Sequence, residues 1–342
     1  SVSYAVTDRA SGEEVFLVFT GDTLFVNDVG RTDFAGVAKR EWSEKLYDSL
    51  FNKLLPLGDQ AVICPAHGAG SVCGGRIAER ELSTIGAERL MNPMLQISKE
   101  KFVEVKTNEH HEHAPYFKMM ERYNVEGAPF IGLKKSPVAL NANQFKEMLG
   151  EETLVLDTRP PPSFGAGHIK GSYNLGLQRL GLIGWVLPYD KQVLLVLGDR
   201  KHVDYVDRNL MRIGYDNVLG YLSPSMVTWY KAVLPVQRLN LITVTILKKH
   251  IEGKHDWHVL DVRSKDEWDE GHIKESQNIY VGQLKNRVDE LPKNKEIAVI
   301  CKSGTRSSFA ASILLREGVK NLHNVLGGVD AWKKAGNPLT QR

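Results

Sequence analysis

The sequence has little cysteine, little net charge and no long apolar run. Three cysteines, Cys64, Cys73 and Cys301, are spread over 342 residues. That is too few for a disulfide framework and favours a reducing compartment. A formal net charge of +3 is too small to argue for nucleic acid or a charged membrane surface as partner. No stretch approaches the uninterrupted apolar length that spans a bilayer, and none reads as a signal peptide. These absences lead to the expectation of a cytoplasmic protein. The chain opens at Ser1 inside what reads as a strand, so upstream residues are expected in the natural protein. The length allows two or three domains.

What is present centres on Cys301-Lys302-Ser303-Gly304-Thr305-Arg306. It follows the apolar run Ile297-Ala298-Val299-Ile300 and precedes a helical pattern from Ser307 to Arg316. A cysteine at the carboxyl end of a buried strand, facing a helix start, sits where backbone N–H groups converge. Those donors and the helix dipole favour an anion, here a thiolate. Arg306 either adds positive charge beside the sulfur or serves as a structural ion-pair partner.

The chain repeats itself. Asp157-Thr158-Arg159 returns as Asp261-Val262-Arg263, an offset of 104 residues. Gly167-His168-Ile169 returns as Gly271-His272-Ile273 at the same offset, as do Ser172 and Ser276, Asn174 and Asn278, Gly214 and Gly318, and Asn217 and Asn321. Two copies of one domain are expected, at residues 137–235 and 240–342. In each, apolar strands alternate with helical stretches, the order of a parallel sheet covered by helices. Ligands of such sheets bind beyond the carboxyl ends of the strands, where Cys301 falls. The first copy has Leu197 at the matching position, followed by Gly198-Asp199-Arg200. Asp199 reads there as a helix cap.

Both copies resemble rhodanese domains. The Asp-x-Arg strand end, the Gly-His-Ile turn and the Cys-x-x-Gly-x-Arg loop of the second copy carry the resemblance. It implies that Cys301 takes a sulfane sulfur as a persulfide and passes it to a nucleophile. The backbone of Lys302, Ser303, Gly304, Thr305, Arg306 and Ser307 would cradle the outer sulfur. Relatives that handle phosphate or arsenate have five residues between cysteine and arginine. This loop has four, a tighter ring that suits a single sulfur. The first copy resembles the inactive modules of the family.

Residues 1–130 read differently. Phe19-Thr20-Gly21-Asp22-Thr23-Leu24-Phe25, Gly30-Arg31-Thr32-Asp33 and Pro65-Ala66-His67-Gly68 resemble the second half of a metallo-β-lactamase fold. The likeness is to the glyoxalase II and persulfide dioxygenase branch, and Thr84 to Arg89 with Asn92-Pro93 extends it. The resemblance implies an α/β chain: a truncated αββα segment followed by two rhodanese-like domains. It implies Asp22 and His67 as metal positions of an incomplete site, with iron, or alternatively zinc, in the intact domain. The histidine-rich ligand motif of that family would lie upstream of Ser1, and His110-His111-Glu112-His113 does not replace it.

The other candidates read as structure. Asp261 and Arg263 hold a strand end, with Glu267 as partner. His168 and His272 make turn hydrogen bonds. Cys64 and Cys73 are small buried residues, and Trp257, Trp268 and Trp332 are core or rim aromatics. The segment around His110 is a solvated polar stretch, and Lys134-Lys135-Ser136-Pro137 and Val233 to Val236 are linkers. The function expected is sulfur transfer from thiosulfate or a low-molecular-weight persulfide to a thiol. The rhodanese chemistry itself needs no cofactor, and homo-oligomerisation is left open. The competing readings are a non-catalytic sulfur carrier or binding module, and a zinc thioesterase of the glyoxalase II kind in the intact parent.

Overall fold

The computed structural model describes residues 2–10, 12–33, 38–69, 71, 74, 77–109, 114–132, 136–253 and 256–341. Cys73, His110, His111, Glu112, His113, Lys134 and Lys135 lie outside them. The chain forms two compact units, Ser1–Glu112 and His113–Arg342. Among the described residues, no helix is long and apolar enough to cross a membrane.

In the first unit, β1 (Tyr4–Thr7) and β2 (Val15–Gly21) pair antiparallel. A small hairpin comes next, β3 (Leu24–Phe25) and β4 (Asp28–Val29), then α1 (Lys39–Asp48). β5 (Val62–Pro65) runs parallel to β2, and β6 (Ser83–Thr84) closes the sheet in the order β1-β2-β5-β6. The unit ends with α2 (Ile85–Met91) and α3 (Lys99–Asn108). Residue alternation along β2 explains its two faces. Val18 and Thr20 are buried, while Phe19 is exposed and lies opposite exposed Tyr4. The core gathers Val18, Leu24, Leu50, Ile63, Ile85 and Phe102. Buried Glu88 pins this region: its carboxylate accepts from Ser83 Oγ (2.5 Å), Asn92 Nδ2 (3.0 Å), Arg80 Nη2 (3.1 Å) and the Asn27 N–H (2.7 Å). Buried polar atoms must be satisfied in this way to avoid a desolvation cost.

The second unit starts with α4 (Tyr116–Glu126). The sequence pattern places residues up to 130 with the N-terminal segment, but the structure groups this helix with the C-terminal unit. The cause is packing: the Tyr116 ring fills the space over Gly184, where a Cβ would lie 2.4 Å from it.

Beyond α4 lie the two copies. The first runs β7 (Val138–Leu140), α5 (Ala142–Glu147), β8 (Thr153–Asp157), α6 (Pro161–Ala166), β9 (Tyr173–Asn174), β10 (Gln192–Val196), α7 (Val203–Met211), β11 (Val218–Leu222) and α8 (Met226–Lys231). The second runs β12 (Asn240–Thr243), α9 (Val244–Glu252), β13 (Trp257–Asp261), α10 (Lys265–Asp269), β14 (Gln277–Asn278), β15 (Glu296–Ile300), α11 (Thr305–Arg316), β16 (Leu322–Leu326) and α12 (Gly328–Lys334). Their sheets have the same order, β7-β11-β10-β8-β9 and β12-β16-β15-β13-β14, and every pairing is parallel. The central strands β10 and β15 read as nearly unbroken apolar runs because helices cover both faces.

The copies share one core. Leu154, Leu195 and Tyr173 of the first cluster with Ile297, Phe309 and Leu314 of the second. Between them, Ser308 Oγ donates to Asn174 Oδ1 (2.5 Å), and the Asn174 N–H donates to Ser312 Oγ (3.1 Å). The repeated motifs are clamps. Asp157 accepts from Arg159 Nε (2.9 Å) and Nη2 (2.6 Å), and Asp261 from Arg263 in the same way (3.0 and 2.6 Å). Asn174 and Asn278 each tie two backbone carbonyls, those of residues 157 and 159 and of 261 and 263. His168 and His272 stack on Phe164 and Trp268, and each Nδ1 lies 2.9 Å from the carbonyl of that ring's residue. A carbonyl only accepts, so Nδ1 carries the proton.

Candidate active site

Cys301 follows the central strand β15, and Gly304 caps the start of α11. The cap is left-handed, φ 98°, a conformation glycine adopts without penalty. This turn brings the Gly304 N–H to 3.1 Å from Cys301 Sγ. The N–H groups of Thr305, Arg306 and Ser307 open the helix and so have no intrahelical acceptor. The thiol itself has no solvent exposure. It lies under the loop, against the shared core.

Arg306 is not a free charge. Its Nη1 and Nη2 meet the two carboxylate oxygens of Glu267 at 2.5 and 2.7 Å. Burial raises the Glu267 carboxyl, but the hydrogen bonds and charge of Arg306 outweigh it and bring the group down to about 2. This corrects the pairing of Glu267 with Arg263, which takes only the Glu267 backbone carbonyl, at 2.9 Å. The Arg263 guanidinium is already occupied by Asp261. Ser307 is also spent: its hydroxyl donates to Asn324 Oδ1 at 2.6 Å, while Asn324 Nδ2 donates to the Gly304 carbonyl at 3.2 Å.

Sequence reasoning misses the residues that buttress the loop. Gly328 has φ 56°, and a Cβ there would lie 2.2 Å from the Cys301 carbonyl oxygen. The N–H groups of Val329 and Asp330 donate to the carbonyls of Cys301 (2.8 Å) and Lys302 (3.0 Å). The available signal is the glycine pair Gly327-Gly328 directly after an apolar strand. The loop forms one wall of a cavity of about 870 Å³, through Lys302, Ser303, Thr305 and Arg306. The first copy forms the rest, including Leu197 and Arg179. Asp199 caps its short helix by accepting from the Lys201 N–H (2.9 Å).

The rhodanese-like domain family matches residues 141–232 and 243–335, more than half of the sequence. The chain belongs to this family. Its relatives include a Bacillus subtilis protein named "Putative sulfurtransferase YtwF", 35% identical over 97 residues, 28% of this chain and 93% of that protein. Another, named "Putative sulfur carrier protein YrkF", also from B. subtilis, is 34% identical over 91 residues, 27% of this chain and 49% of that protein. The chain thus spans about half of YrkF. A solved metallo-beta-lactamase from Staphylococcus aureus shares the fold with a TM-score of 0.55 and 27% identity, over 65% of this chain and 62% of that one. The rhodanese-like domains and the sulfurtransferase names of relatives support a sulfur-transfer function.

In the first unit the structure brings Asp22 and His67 together. Each follows a strand, β2 and β5, and those strands are parallel neighbours. His67 Nε2 and Asp22 Oδ1 lie 3.1 Å apart, both partly exposed. Among the described residues, no three His, Cys, Asp or Glu side chains are grouped to hold a metal. Two donors in mutual contact fall short of the three or four protein ligands of a zinc site, so this pair does not fit a metal centre by itself. Cys64 is half-buried rather than buried.

Proposed function

We propose that the chain is a rhodanese-type sulfurtransferase working through a persulfide on Cys301. The supporting observation is the thiol at the carboxyl end of the central strand, accepting the Gly304 N–H at 3.1 Å beside the first turn of α11. The Cys301 thiolate attacks the outer sulfur of thiosulfate. A sulfur–sulfur bond forms to Cys301, the bond inside the donor breaks, and its electron pair leaves with sulfite. A low-molecular-weight persulfide reacts in the same way and releases its thiolate. The negative charge stays among backbone donors, which cost no reorganisation when the charge moves. Arg306, neutralised by Glu267, braces the loop more than it supplies charge.

The test is the rate of sulfur transfer from thiosulfate to a thiol in the chain and in Cys301→Ser. Loss of transfer with an unchanged circular dichroism spectrum supports the proposal, and full transfer in the variant rules it out.

The burial of the thiol favours one second reading, a sulfur carrier that loads once and turns over poorly. Stoichiometric loading with negligible turnover on free acceptors would select it. We further propose that the first unit belongs, in a longer parent, to a metallo-β-lactamase domain that oxidises persulfides, with a glyoxalase II-like thioesterase as the alternative. The likeness to the S. aureus metallo-beta-lactamase supports that reading. Metal analysis of the parent separates the two: one iron favours persulfide oxidation, two zincs favour ester hydrolysis.

A further inference from the structure

The helix that opens beside Cys301, α11, is buried on every side: each residue from Ser307 to Leu314 is buried. A helix that covers one face of a sheet ordinarily keeps a polar stripe in water. Its counterpart in the first copy, α7, does so, with Asp204 and Arg208 exposed. At the 104-residue offset those positions become Ser308 and Ser312, both without solvent exposure. The stripe that α7 turns to water, α11 turns to the first copy.

Three contacts hold α11 there. At its start, Thr305 Cγ2 packs on Gly176, where a Cβ would lie 3.3 Å from it. At its end, Arg316 lies over the Tyr173 ring (4.6 Å) and donates to the Gly171 carbonyl. Between them is Asn174, itself buried. Its Oδ1 accepts from Ser308 Oγ (2.5 Å), and its N–H donates to Ser312 Oγ (3.1 Å). Its Nδ2 donates to the carbonyls of Asp157 (3.0 Å) and Arg159 (2.9 Å). One residue thus fastens α11 to the Asp157–Arg159 clamp of the first copy.

The consequence reaches the sulfur. The Ser308 N–H donates to the Gly304 carbonyl (3.4 Å), and the Gly304 N–H meets Cys301 Sγ (3.1 Å). A shift of Ser308 therefore carries the first turn of α11 with it. Backbone donors offset a charge on sulfur only where they are already aimed at it.

We infer that Asn174 is a positioning residue of the sulfur-transfer site, acting through Ser308 and Ser312. The inference rests on the sulfurtransferase reading of Cys301. The copy that has no nucleophile serves the reaction by setting where α11 begins.

The test is single-turnover sulfur loading of the full chain by thiosulfate, followed by intact mass over a range of donor concentrations. Ser308→Ala removes the bond to Asn174 from the side of α11 and leaves both clamps in place. Its loading rate at saturating donor should fall about tenfold, as a sub-ångström misplacement of catalytic donors costs. The half-saturating donor concentration should stay within about twofold, because no group that meets the donor is changed. Phe145→Leu is the control for stability alone. Phe145 is buried in the separate core on the other face of the first copy's sheet. That variant should lower the urea midpoint and leave the saturating rate unchanged. Asn174→Ala cuts the same bond from the other side, so adding Ser308→Ala to it should slow loading no further.

An unchanged saturating rate in Ser308→Ala, an equal loss in Phe145→Leu, or losses that multiply in the double variant would each overturn the positioning role. In those cases the sulfurtransferase reading stands as long as the unaltered chain loads and Cys301→Ser does not. If the unaltered chain fails to load, or Cys301→Ser loads equally, that reading falls and the role of Asn174 falls with it.

Discussion

Glu267 and Arg306 join α10 to the first turn of α11 through two parallel hydrogen bonds of 2.7 and 2.5 Å. A bidentate, partly buried pair of this kind gives geometric specificity as well as energy. Glu267 also closes a capping box with Ser264. One carboxylate therefore fixes both a helix start and the arginine of the Cys301 loop.

The pair makes stability depend on acid pH. The Glu267 carboxyl lies at about 2 in the folded chain against an ordinary 4.5. Its contribution is fully present above pH 4.5 and is lost as the pH falls toward 2. After allowance for partial exposure, the loss is on the order of 2 kcal/mol. Urea denaturation of the chain and of Glu267→Gln between pH 5 and about 2 checks this. The unaltered chain should lose more stability than the variant over that range, and parallel curves would contradict the assignment.

Asp157→Ala should cost about 3–5 kcal/mol, because it strands the buried guanidinium of Arg159. The same holds for Asp261→Ala and Arg263. The midpoint of urea denaturation is the measure. A loss below about 1 kcal/mol would show that these pairs do not clamp their strand ends.

Gly328→Ala should disrupt sulfur transfer without touching the thiol. The added methyl group would collide with the Cys301 and Lys302 carbonyls, 2.2 and 2.5 Å away. Displacement of the loop by about an ångström costs on the order of 10²-fold in rate. Transfer rates at saturating donor test it, and an unchanged rate would show that the loop does not lean on Gly328.

Much of this site is legible in the sequence, and the reasons are local. The copies announce themselves because Asp157, His168 and Asn174 recur 104 residues on, and each has a short-range clamping task that tolerates little change of spacing. Cys301 is legible because its strand and helix are its immediate neighbours. Asp22 and His67 are legible as two strand ends, and the parallel pairing of β2 with β5 makes them neighbours. What escaped depends on contacts between distant segments. Glu267 is 39 residues from Arg306, and a nearer arginine, Arg263, competes for it on paper. Asn324 reaches the loop from the next strand and Gly328 from the start of the helix after it, and no periodicity marks them. The boundary after Glu112 follows contacts between distant segments, Tyr116 over Gly184 and Met119 beside Gly214 among them.

The Asp22–His67 pair sets an expectation for metal. With two donors where about three or four protein ligands are usual, the chain should retain less than one equivalent of zinc or iron after dialysis against metal-free buffer. Elemental analysis measures it. A full equivalent that disappears in Asp22→Ala would contradict the reading of the pair as an incomplete site.

The central claim is that Cys301 carries the sulfur. Intact mass of the chain after incubation with thiosulfate and removal of excess donor tests it most directly, with peptide mapping to locate any addition. The account predicts a gain of one sulfur atom, confined to the peptide holding Cys301, reversed by a thiol and absent from Cys301→Ser. No gain, or a gain that maps to Cys64 or Cys73, would contradict it.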